Sequence, residues 1–329
     1  MTGKKQENLS RREFIARSAK AGASIAAAAG LAYWLYQDNV IPRQEGDSAV
    51  FPDFSVAPQP GKSLSIVQGT ERKSTVIKAI DMLGGIEHFV KPGDVVLIKP
   101  NIAFASSAAL GATTNPELLA TIVRLCYDRG GAKKVIVTDN PINDPDSCFA
   151  LTGIGKAASA AGAQIMLPKD SYFSPMTIKN AQLIKSWPVL YEPLKNVNKV
   201  IGIAPLKDHH RSGASMTMKN WYGLLGGRRN IFHQKIHTII TELAMMIKPT
   251  LVILDAFSVM KANGPTGGSM SDLYSANTII AGTDQVAVDS FGAGFLNLKP
   301  ADMPYLTQSQ QMGLGTTDYQ SLKPLKVQL

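Results

Sequence analysis

The sequence predicts an α/β domain in which a mostly parallel sheet carries helices on both faces, giving three layers. Three observations lead to this fold class. From about residue 62 onward, short apolar runs alternate with stretches of helical length. The apolar runs at 95–99 and 251–255 are nearly continuous, as expected for strands that are buried on both faces. The segments between successive runs are long enough to hold the helical crossovers that parallel strands require.

Each predicted element follows from its apolar pattern and its boundary residues. Asn115 is a typical cap for the helix that follows it, and Gly84-Gly85 ends the first helix. Residues 170–198 are less regular and indicate an edge hairpin or a cover. The predicted strands are 63–68, 95–99, 133–138, 164–167, 199–204, 251–255 and 278–281. The predicted helices are 74–83, 116–128, 147–161, 216–225, 232–247, 284–295 and one around 303–312.

The N-terminal region has the features of a twin-arginine export signal. Arg11 and Arg12 precede an Ala- and Gly-rich apolar stretch, in the order that such signals use. We predict that residues 1–36 are a signal or membrane anchor, residues 37–61 a linker, and residues 62–329 a single α/β domain. The alternative is a basic amphipathic N-terminus of a cytosolic protein. We expect export by the twin-arginine machinery, to the periplasm or the outer face of the cytoplasmic membrane.

The distribution of charge argues against a nucleic-acid partner. The formal net charge is +9, and residues 1–36 contribute +4 of it, from six Lys or Arg against two Glu, which leaves +5 for the remainder. No basic run and no basic face interleaved with aromatic residues accompanies this mild excess. We therefore predict an anionic small molecule as the partner, no nucleic acid, and membrane contact only through the N-terminal segment.

The chain has two cysteines, Cys126 and Cys148, which are too few for an iron–sulfur cluster or a cysteine zinc site. No iron–sulfur cluster is expected, and each cysteine is predicted to be a small core residue. Whether the two form a disulfide stays open, because pairing depends on a Cα separation that the sequence does not give.

Polar residues lie at the ends of three predicted strands. Lys99 and Asn101 come at the end of one strand, Lys207 and His209 follow another, and Asp255 ends a third. The carboxyl ends of parallel strands meet at one edge of a sheet, so we expect these side chains to share a pocket. For any one lysine the alternative is a solvated loop residue.

Residues 202–237 contain four of the five histidines together with several cations. We expect lysines to anchor an anion, asparagine amides to orient it, and a histidine to act as general acid or base. The predicted catalytic residues are His209, Lys207 and Lys219. The predicted ligand-binding residues are Lys99, Asn101, Asn220, His233, Asp255, Gly264, Gly267 and Gly268.

A divalent metal is a second hypothesis for this stretch. His233 and His237 are four residues apart, which places two imidazoles on one side of a helix. The residues between them lack the Glu of a zinc protease, and no third ligand is fixed, although His209 and Asp255 are candidates. We favour the alternative that His233 alone faces the lysines while His237 packs toward Met245, because nearby cations oppose a bound dication.

Residues 263–268 form a glycine-rich loop whose backbone N–H groups could hold an anion. The loop lacks the Gly-Lys-Ser/Thr ending of a Walker motif, so a simple turn is the alternative. Asp284 is expected to cap a helix. Asp289 is expected either to make buried hydrogen bonds or to belong to the site.

These residues resemble, in order and spacing, the motifs of the domain of unknown function 362 family, over roughly residues 63–318. The matching motifs are Lys99-Pro100-Asn101, Lys207-x-His209, Met218-Lys219-Asn220 with Gly223, His233, Asp255 with Gly264-Pro265 and Gly268, and Gly282-Thr283-Asp284 with Asp289. The resemblance implies the family's α/β fold and a polar pocket, and it assigns no reaction. Some members carry ferredoxin-like cysteine motifs, which this sequence lacks, so the resemblance implies no redox role.

Together these observations predict an exported α/β protein with a basic, histidine-containing cleft, acting as an enzyme on an anionic small molecule. The first alternative is a non-catalytic protein of the cell envelope that binds or delivers a ligand or a metal. The second is a structural partner of a membrane complex. Saturable binding without turnover would favour the first alternative, and a stable co-purifying protein would favour the second.

Overall fold

The computed structural model describes residues 50–329 and Arg12; apart from that arginine, the predicted signal and most of the linker lie outside the described residues. Residues 50–329 belong to one compact unit. The strands are β1 (Leu64–Gln68), β2 (Val95–Lys99), β3 (Lys134–Val137), β4 (Gln164–Ile165), β5 (Phe173–Met176), β6 (Trp187–Leu190), β7 (Lys199–His209), β8 (Gly213–Ser215), β9 (Leu251–Met260), β10 (Leu273–Gly282) and β11 (Leu325–Gln328). The helices are α1 (Arg72–Met82), α2 (Ile86–Phe89), α3 (Pro116–Asp128), α4 (Pro145–Leu151), α5 (Ile154–Ala160), α6 (Thr217–Asn220), α7 (Ile236–Met246), α8 (Gln285–Gly292) and α9 (Pro304–Gln311).

In the described part of the chain, nine strands form one sheet in the order β11-β1-β10-β9-β7-β2-β3-β4, with β8 paired to the end of β7. Five neighbouring pairs are parallel, and each antiparallel pair in this sheet involves β10 or β8. The predicted mostly parallel α/β sheet is therefore confirmed. Strands β5 and β6 form a separate antiparallel hairpin in the region of irregular sequence.

Helices cover both faces of the sheet because successive strand side chains point in opposite directions. On β2, Val96 and Ile98 belong to a core that α1, α3, α4 and α5 complete. Leu97, between them, belongs to a second core that α7, α8 and α9 complete. The predicted three-layer arrangement is confirmed.

Three predicted helices are interrupted in the structure. The helix at 147–161 is divided into α4 and α5 at Gly153, whose φ of +76° is a left-handed conformation that glycine adopts readily. The helix at 216–225 is α6 followed by a 3₁₀ segment, Trp221–Leu224. The helix at 232–247 is a 3₁₀ segment, Arg229–Lys235, followed by α7, and Lys235 between them has a non-helical backbone with φ of −128°.

Two central strands are longer than predicted. Strand β7 continues to His209 because its last three residues pair with β8, and β9 continues to Met260 alongside β10. Lys207 and His209 therefore lie within a strand, and Asp255 lies in the middle of one, where the sequence predicts strand ends.

The described part of the predicted linker packs on the domain. Phe51 and Phe54 are buried, and the Phe51 ring stacks on Tyr191 with centres 5.7 Å apart.

Cys126 and Cys148 are both buried and free. Among the described residues, no helix combines the length and the apolar content needed to cross a bilayer.

Candidate functional site

A small cavity of about 80 Å³ lies at the carboxyl ends of β2, β3 and β7, which are neighbours in the sheet. This volume corresponds to roughly three water molecules. The polar lining side chains are Lys99, Asn101, Asp139, Asn140, Lys207, His209, Ser215, Lys219, Asn220, Tyr222, Arg229 and His233. The structure thus brings together seven side chains that the sequence singles out, with four cations and one carboxylate among the lining residues.

Lys99 ends β2 and is fully buried. Its Nζ atom is 2.6 Å from Asp139 Oδ1, and it donates to Asn220 Oδ1 at 3.0 Å and to the Pro100 carbonyl at 2.8 Å. An ammonium has three N–H donors, so all three are satisfied within the protein. Burial lowers the pKa of Lys99, and the Asp139 carboxylate opposes that shift. This geometry makes Lys99 a paired internal cation, whereas the sequence predicts a free anion anchor.

Two asparagines connect Lys99 to Lys207. Asn220 Nδ2 donates to the carbonyls of Lys99 and Ile203, at 3.1 Å each. Asn220 Oδ1 is therefore the acceptor, and Asn101 Nδ2 donates to it at 3.3 Å. Asn101 Oδ1 then faces Lys207 Nζ at 3.5 Å. The backbone of β2 and β7 thus fixes the orientation of both amides, and Asn101 turns an acceptor toward Lys207.

Lys207 is the second fully buried lysine, with 1% of its surface exposed. Its Nζ atom donates to the Ala112 carbonyl at 2.6 Å, and no carboxylate among the described residues lies within ion-pair distance. Burial, together with the charges of Lys219 and Lys99, lowers the pKa of Lys207 to about 7, and Asp139 partly opposes the shift. Near neutral pH, much of Lys207 is therefore an uncharged amine.

Lys219 is the cation that remains free to meet a ligand. It is half-buried on α6, and within the described part its Nζ atom has no hydrogen bond or ion pair. Its nearest charge-stabilising group is the Tyr222 ring, whose centre is 5.4 Å away. Burial, with the nearby charge of Arg229, lowers the pKa of Lys219 to about 8.

Arg229 supports the wall of the cavity. Its guanidinium donates to the carbonyls of Tyr222, Leu225, Asn140 and Pro141, at 2.7–3.2 Å. These bonds join the 3₁₀ segment after α6 to the loop after β3. Burial lowers the pKa of Arg229, which still remains a cation.

His209 is a neutral hydrogen-bond donor. Its Nδ1 atom accepts from the backbone N–H groups of Arg211 and Ser212, at 3.3 Å each. Nδ1 therefore carries the lone pair, and the proton of the neutral ring is on Nε2. Burial holds the pKa of His209 far below its ordinary value, and the charge of Lys219 adds to the shift. The geometry favours an N–H donor over the general acid or base that the sequence predicts.

His233 has the opposite tautomer. Its Nδ1 atom lies 3.2 Å from the Asn230 carbonyl, which can only accept, so Nδ1 carries the proton. The Tyr222 hydroxyl, which donates to the Arg229 carbonyl, is also 3.2 Å from Nδ1. Nε2 of the neutral ring is therefore an acceptor. Burial lowers the pKa of His233, which keeps the ring neutral at physiological pH.

The structure separates the remaining predicted metal ligands from the cavity. Helix α7 begins after His233, so His233 and His237 do not share one helix. His237, on α7, stacks on Tyr305 with ring centres 6.0 Å apart. Asp255 pairs with Arg72 at 3.1 Å instead of lining the cavity. Among the described residues, no three His, Cys, Asp or Glu side chains are grouped so that they could hold a metal ion.

The glycine-rich loop does not present the predicted anion cradle. The Gly264 N–H donates to Asp208 Oδ2 at 3.3 Å, and the Gly267 N–H donates to the Asn263 carbonyl at 2.9 Å. A Cβ atom at Gly264 would lie 1.9 Å from the Asp208 carbonyl oxygen, so the close approach to β7 requires glycine. Of this loop, only Pro265 lines the cavity, and a Cβ atom at Gly268 would face open space.

Five polar lining residues are not among the predicted site residues: Asp139, Asn140, Ser215, Tyr222 and Arg229. Asp139 directly follows the predicted strand 133–138, so the rule that singles out strand-end residues also finds it. Tyr222 and Arg229 carry no such signal, because their roles depend on how the 3₁₀ segments fold over the cavity.

Asp289 supports the site from α8. It is fully buried and accepts from the Thr217 N–H at 2.9 Å, the Thr217 hydroxyl at 2.5 Å and the Met218 N–H at 3.0 Å. These bonds hold the first turn of α6, which carries Lys219 and Asn220. Of the two predicted alternatives, the structure therefore shows the buried hydrogen-bonding group. Asp284 caps α8, accepting from the Ala287 N–H.

The fold and the cavity define an α/β protein with a basic, histidine-containing site at the carboxyl edge of a mostly parallel sheet. Residues 96–294 match the family described as Domain of unknown function (DUF362), and the chain belongs to this family.

Known proteins similar to this chain include one curated relative and two solved structures. The thylakoid-associated protein sll1697 of Synechocystis sp. is 25% identical over 278 residues, which cover 80% of this chain and 84% of the relative. The lactate racemase apoprotein of Thermoanaerobacterium thermosaccharolyticum is 11% identical with a TM-score of 0.40, covering 75% of this chain and 58% of the other. A Thermotoga maritima protein is also 11% identical with a TM-score of 0.40, covering 68% and 59%. This chain therefore spans less than two thirds of the length of either solved structure.

Proposed function

We propose that this chain is an enzyme that acts on a small anionic molecule bound in the cavity. The observation that carries the proposal is the imbalance of charge around it. Asp139 is the only carboxylate among the described lining residues, and it is paired with Lys99. Lys207 and Lys219 have no acidic partner. Protonating Lys207 or Lys219 without an acidic partner is costly, which is why the pKa values of both are lowered, and a bound anion would offset that cost.

The groups around the cavity suit recognition of a small carboxylate or phosphate-like anion. Lys219 Nζ supplies a positive charge, and His209 Nε2 supplies a neutral N–H donor. His233 Nε2 supplies an acceptor that could take a proton from the bound molecule. A cavity of about 80 Å³ suits a small ligand.

Anion binding is tested by calorimetry and thermal shift with oxalate, phosphate and a neutral diamide of the same size as oxalate. Lys219→Met removes the free charge while keeping an unbranched side chain. We expect the variant to weaken oxalate binding about tenfold or more, because it removes a charge-assisted hydrogen bond. Lys235→Met is the matched control, since Lys235 is exposed and does not line the cavity. Equal affinities in both variants, or no preference for the anions over the diamide, would refute the proposal.

We propose further that the chain acts outside the cytoplasm. The sequence support is the arginine pair and the apolar stretch that follows it. Association with a membrane system, as the name of the Synechocystis relative states for that protein, agrees with an N-terminal anchor. Replacing both Arg11 and Arg12 by Lys should retain the protein in the cytoplasm on cell fractionation, whereas Arg17→Lys should not. Normal export of the double variant would overturn this proposal.

A further inference from the structure

The buried lysines Lys99 and Lys207 differ in what their amines contact. Lys99 has a carboxylate at 2.6 Å and donates all three protons. Lys207 has no carboxylate partner among the described residues, and both of its hydrogen-bond partners are neutral acceptors. Lys99 is thus held as an ammonium, and the charges of Lys219 and Lys99 both disfavour a further ammonium at Lys207.

The contacts of Lys207 leave one direction around its nitrogen open. Two of its N–H bonds point to the Ala112 carbonyl at 2.6 Å and to Asn101 Oδ1 at 3.5 Å. In a neutral tetrahedral amine, Cε and the two hydrogens occupy three positions, and the lone pair occupies the fourth. The residue lines the cavity, beside the Phe104 ring at 5.5 Å. A desolvated lysine beside other cations is the arrangement that activates an amine as a nucleophile.

We propose that Lys207 forms an imine with the carbonyl carbon of a small 2-oxo acid; this inference rests on the proposed function of the cavity as a small-anion site. The Lys207 nitrogen attacks the carbonyl carbon and forms a C–N bond. The carbonyl oxygen takes up one proton from the amine and one from solvent and leaves as water, so that an amine, a ketone and one proton give a protonated imine and one water molecule. No oxidant or reductant is needed.

The other cavity residues fit the two ends of such a substrate. Lys219 Nζ and the His209 N–H are available for the carboxylate, because neither has another acceptor among the described residues. His233 Nε2 is an acceptor that can move protons during the loss of water. A cavity of about 80 Å³ suits a short acid such as pyruvate.

The charged groups that face Lys207 come from four elements. Lys99 on β2 and Lys219 on α6 disfavour its ammonium form, Asp139 after β3 favours it, and His209 on β7 is neutral. The resulting pKa of Lys207 is about 7, whereas exposed lysines titrate near 10.4. At about pH 7.5, Lys207 is therefore the amine that we expect to react, while exposed lysines remain protonated.

Trapping with borohydride tests the inference on the full chain. The protein is incubated with pyruvate at about pH 7.5 and reduced, which converts an imine into a stable secondary amine. We expect a mass increase equal to pyruvic acid less one oxygen atom, at about one adduct per chain, on the peptide that contains Lys207. Excess oxalate, which has no ketone, should occupy the cavity and abolish the adduct.

Two variants complete the experiment. Lys207→Arg replaces the amine by a guanidinium that cannot form an imine, and we expect loss of the adduct. Lys235→Met should retain the adduct. If Lys207→Arg fails to fold, the oxalate competition in the unmodified protein still tests whether the adduct forms in the cavity. Oxalate binding without an adduct, or adducts spread over exposed lysines, would overturn the imine but not the anion site. Failure of oxalate and pyruvate to bind at all would overturn both.

Discussion

His209 and His233 stack with ring centres 6.0 Å apart, yet their surroundings fix opposite tautomers. Backbone N–H groups donate to His209 Nδ1, whereas the Asn230 carbonyl accepts from His233 Nδ1. Burial lowers the pKa of both rings, so neither carries a charge at neutral pH. One imidazole is thus a donor and the other an acceptor, and only His233 is prepared to accept a proton.

Replacing His233 by Gln removes this acceptor while keeping a polar side chain. If His233 moves the substrate proton, the variant should exchange the methyl protons of pyruvate for deuterium about 10²–10⁴-fold more slowly, because a positioned base contributes about that factor. Pyruvate affinity should change only a few-fold, since Lys219 remains. Proton NMR in D₂O measures the exchange, and calorimetry measures the affinity.

His210→Gln is the matched control for this experiment. His210 is exposed, neighbours His209 in the chain and stacks on its ring with centres 5.2 Å apart, but it does not line the cavity. Exchange in His233→Gln as fast as in His210→Gln would show that His233 is not the base.

For single residues, the sequence predicts which side chains lie at the site better than it predicts the role of each side chain. Strand-end polarity places Lys99, Lys207 and Asn101 at one edge of a sheet before any coordinates are known. It does not show that Asp139, which follows the neighbouring strand β3, pairs with Lys99. That pairing, and with it the loss of Lys99 as a free anchor, depends on strand order, which spacing along the chain does not encode.

At the scale of elements, α6 is a single turn whose position depends on α8. A four-residue helix is too short to be stable alone, so its place is set by tertiary contacts. Asp289 supplies three of these contacts. Burial raises the pKa of Asp289 and hydrogen bonds from Thr217 and Met218 lower it, which leaves the pKa at about 7. We infer that these bonds keep Asp289 ionised at pH 8.

Asp289→Asn tests this tether. The amide offers one oxygen in place of two, so one buried N–H of α6 loses its acceptor, at a cost of about 1–3 kcal/mol in the free energy of unfolding. Because α6 carries Lys219, oxalate binding should weaken as well. Urea titration and calorimetry measure the two effects.

Asp284→Asn separates stability from position. Asp284 lies at the N-terminus of the same helix and accepts from Ala287 and Thr316, not from α6. It should lower stability without changing oxalate affinity. Parallel losses of affinity in both variants would mean that α6 responds to general destabilisation, not to Asp289.

The sequence predicts where helices lie more reliably than where they break. The apolar period and the Asn115 cap define α3 at 116–128 as predicted, because both are local properties. The breaks at Gly153 and Lys235 interrupt periodic stretches, and only packing decides that the chain turns there. The second break has a functional consequence, since it sends His233 to the cavity and His237 to Tyr305.

At the scale of the whole molecule, the cavity makes stability depend on pH in a defined direction. The pKa of Lys207 is about 7 and that of Lys219 about 8 in the folded chain, against 10.5 for an unperturbed lysine. Between these values the unfolded chain binds more protons than the folded chain. The free energy of unfolding therefore rises with pH in this window, and a bound anion, by restoring the charged lysines, removes the rise.

Between about pH 7.5 and 9 we expect the melting temperature of the ligand-free protein to rise, and to become nearly flat with saturating oxalate. The histidines, whose pKa values are lowered, and Asp289, whose pKa is about 7, act mainly below this window. The buried Cys126 and Cys148 oppose part of the rise near its upper end, because thiols that are exposed on unfolding ionise from about pH 8.5, whereas burial raises their pKa values in the folded chain to about 12 and about 11. Lys219→Met should remove part of the rise, and Lys235→Met should retain it. Differential scanning calorimetry at matched ionic strength measures each slope. A melting temperature that stays level or falls over this range without ligand would mean that both lysines remain charged in the free protein, and the cavity would then need no anion to balance it.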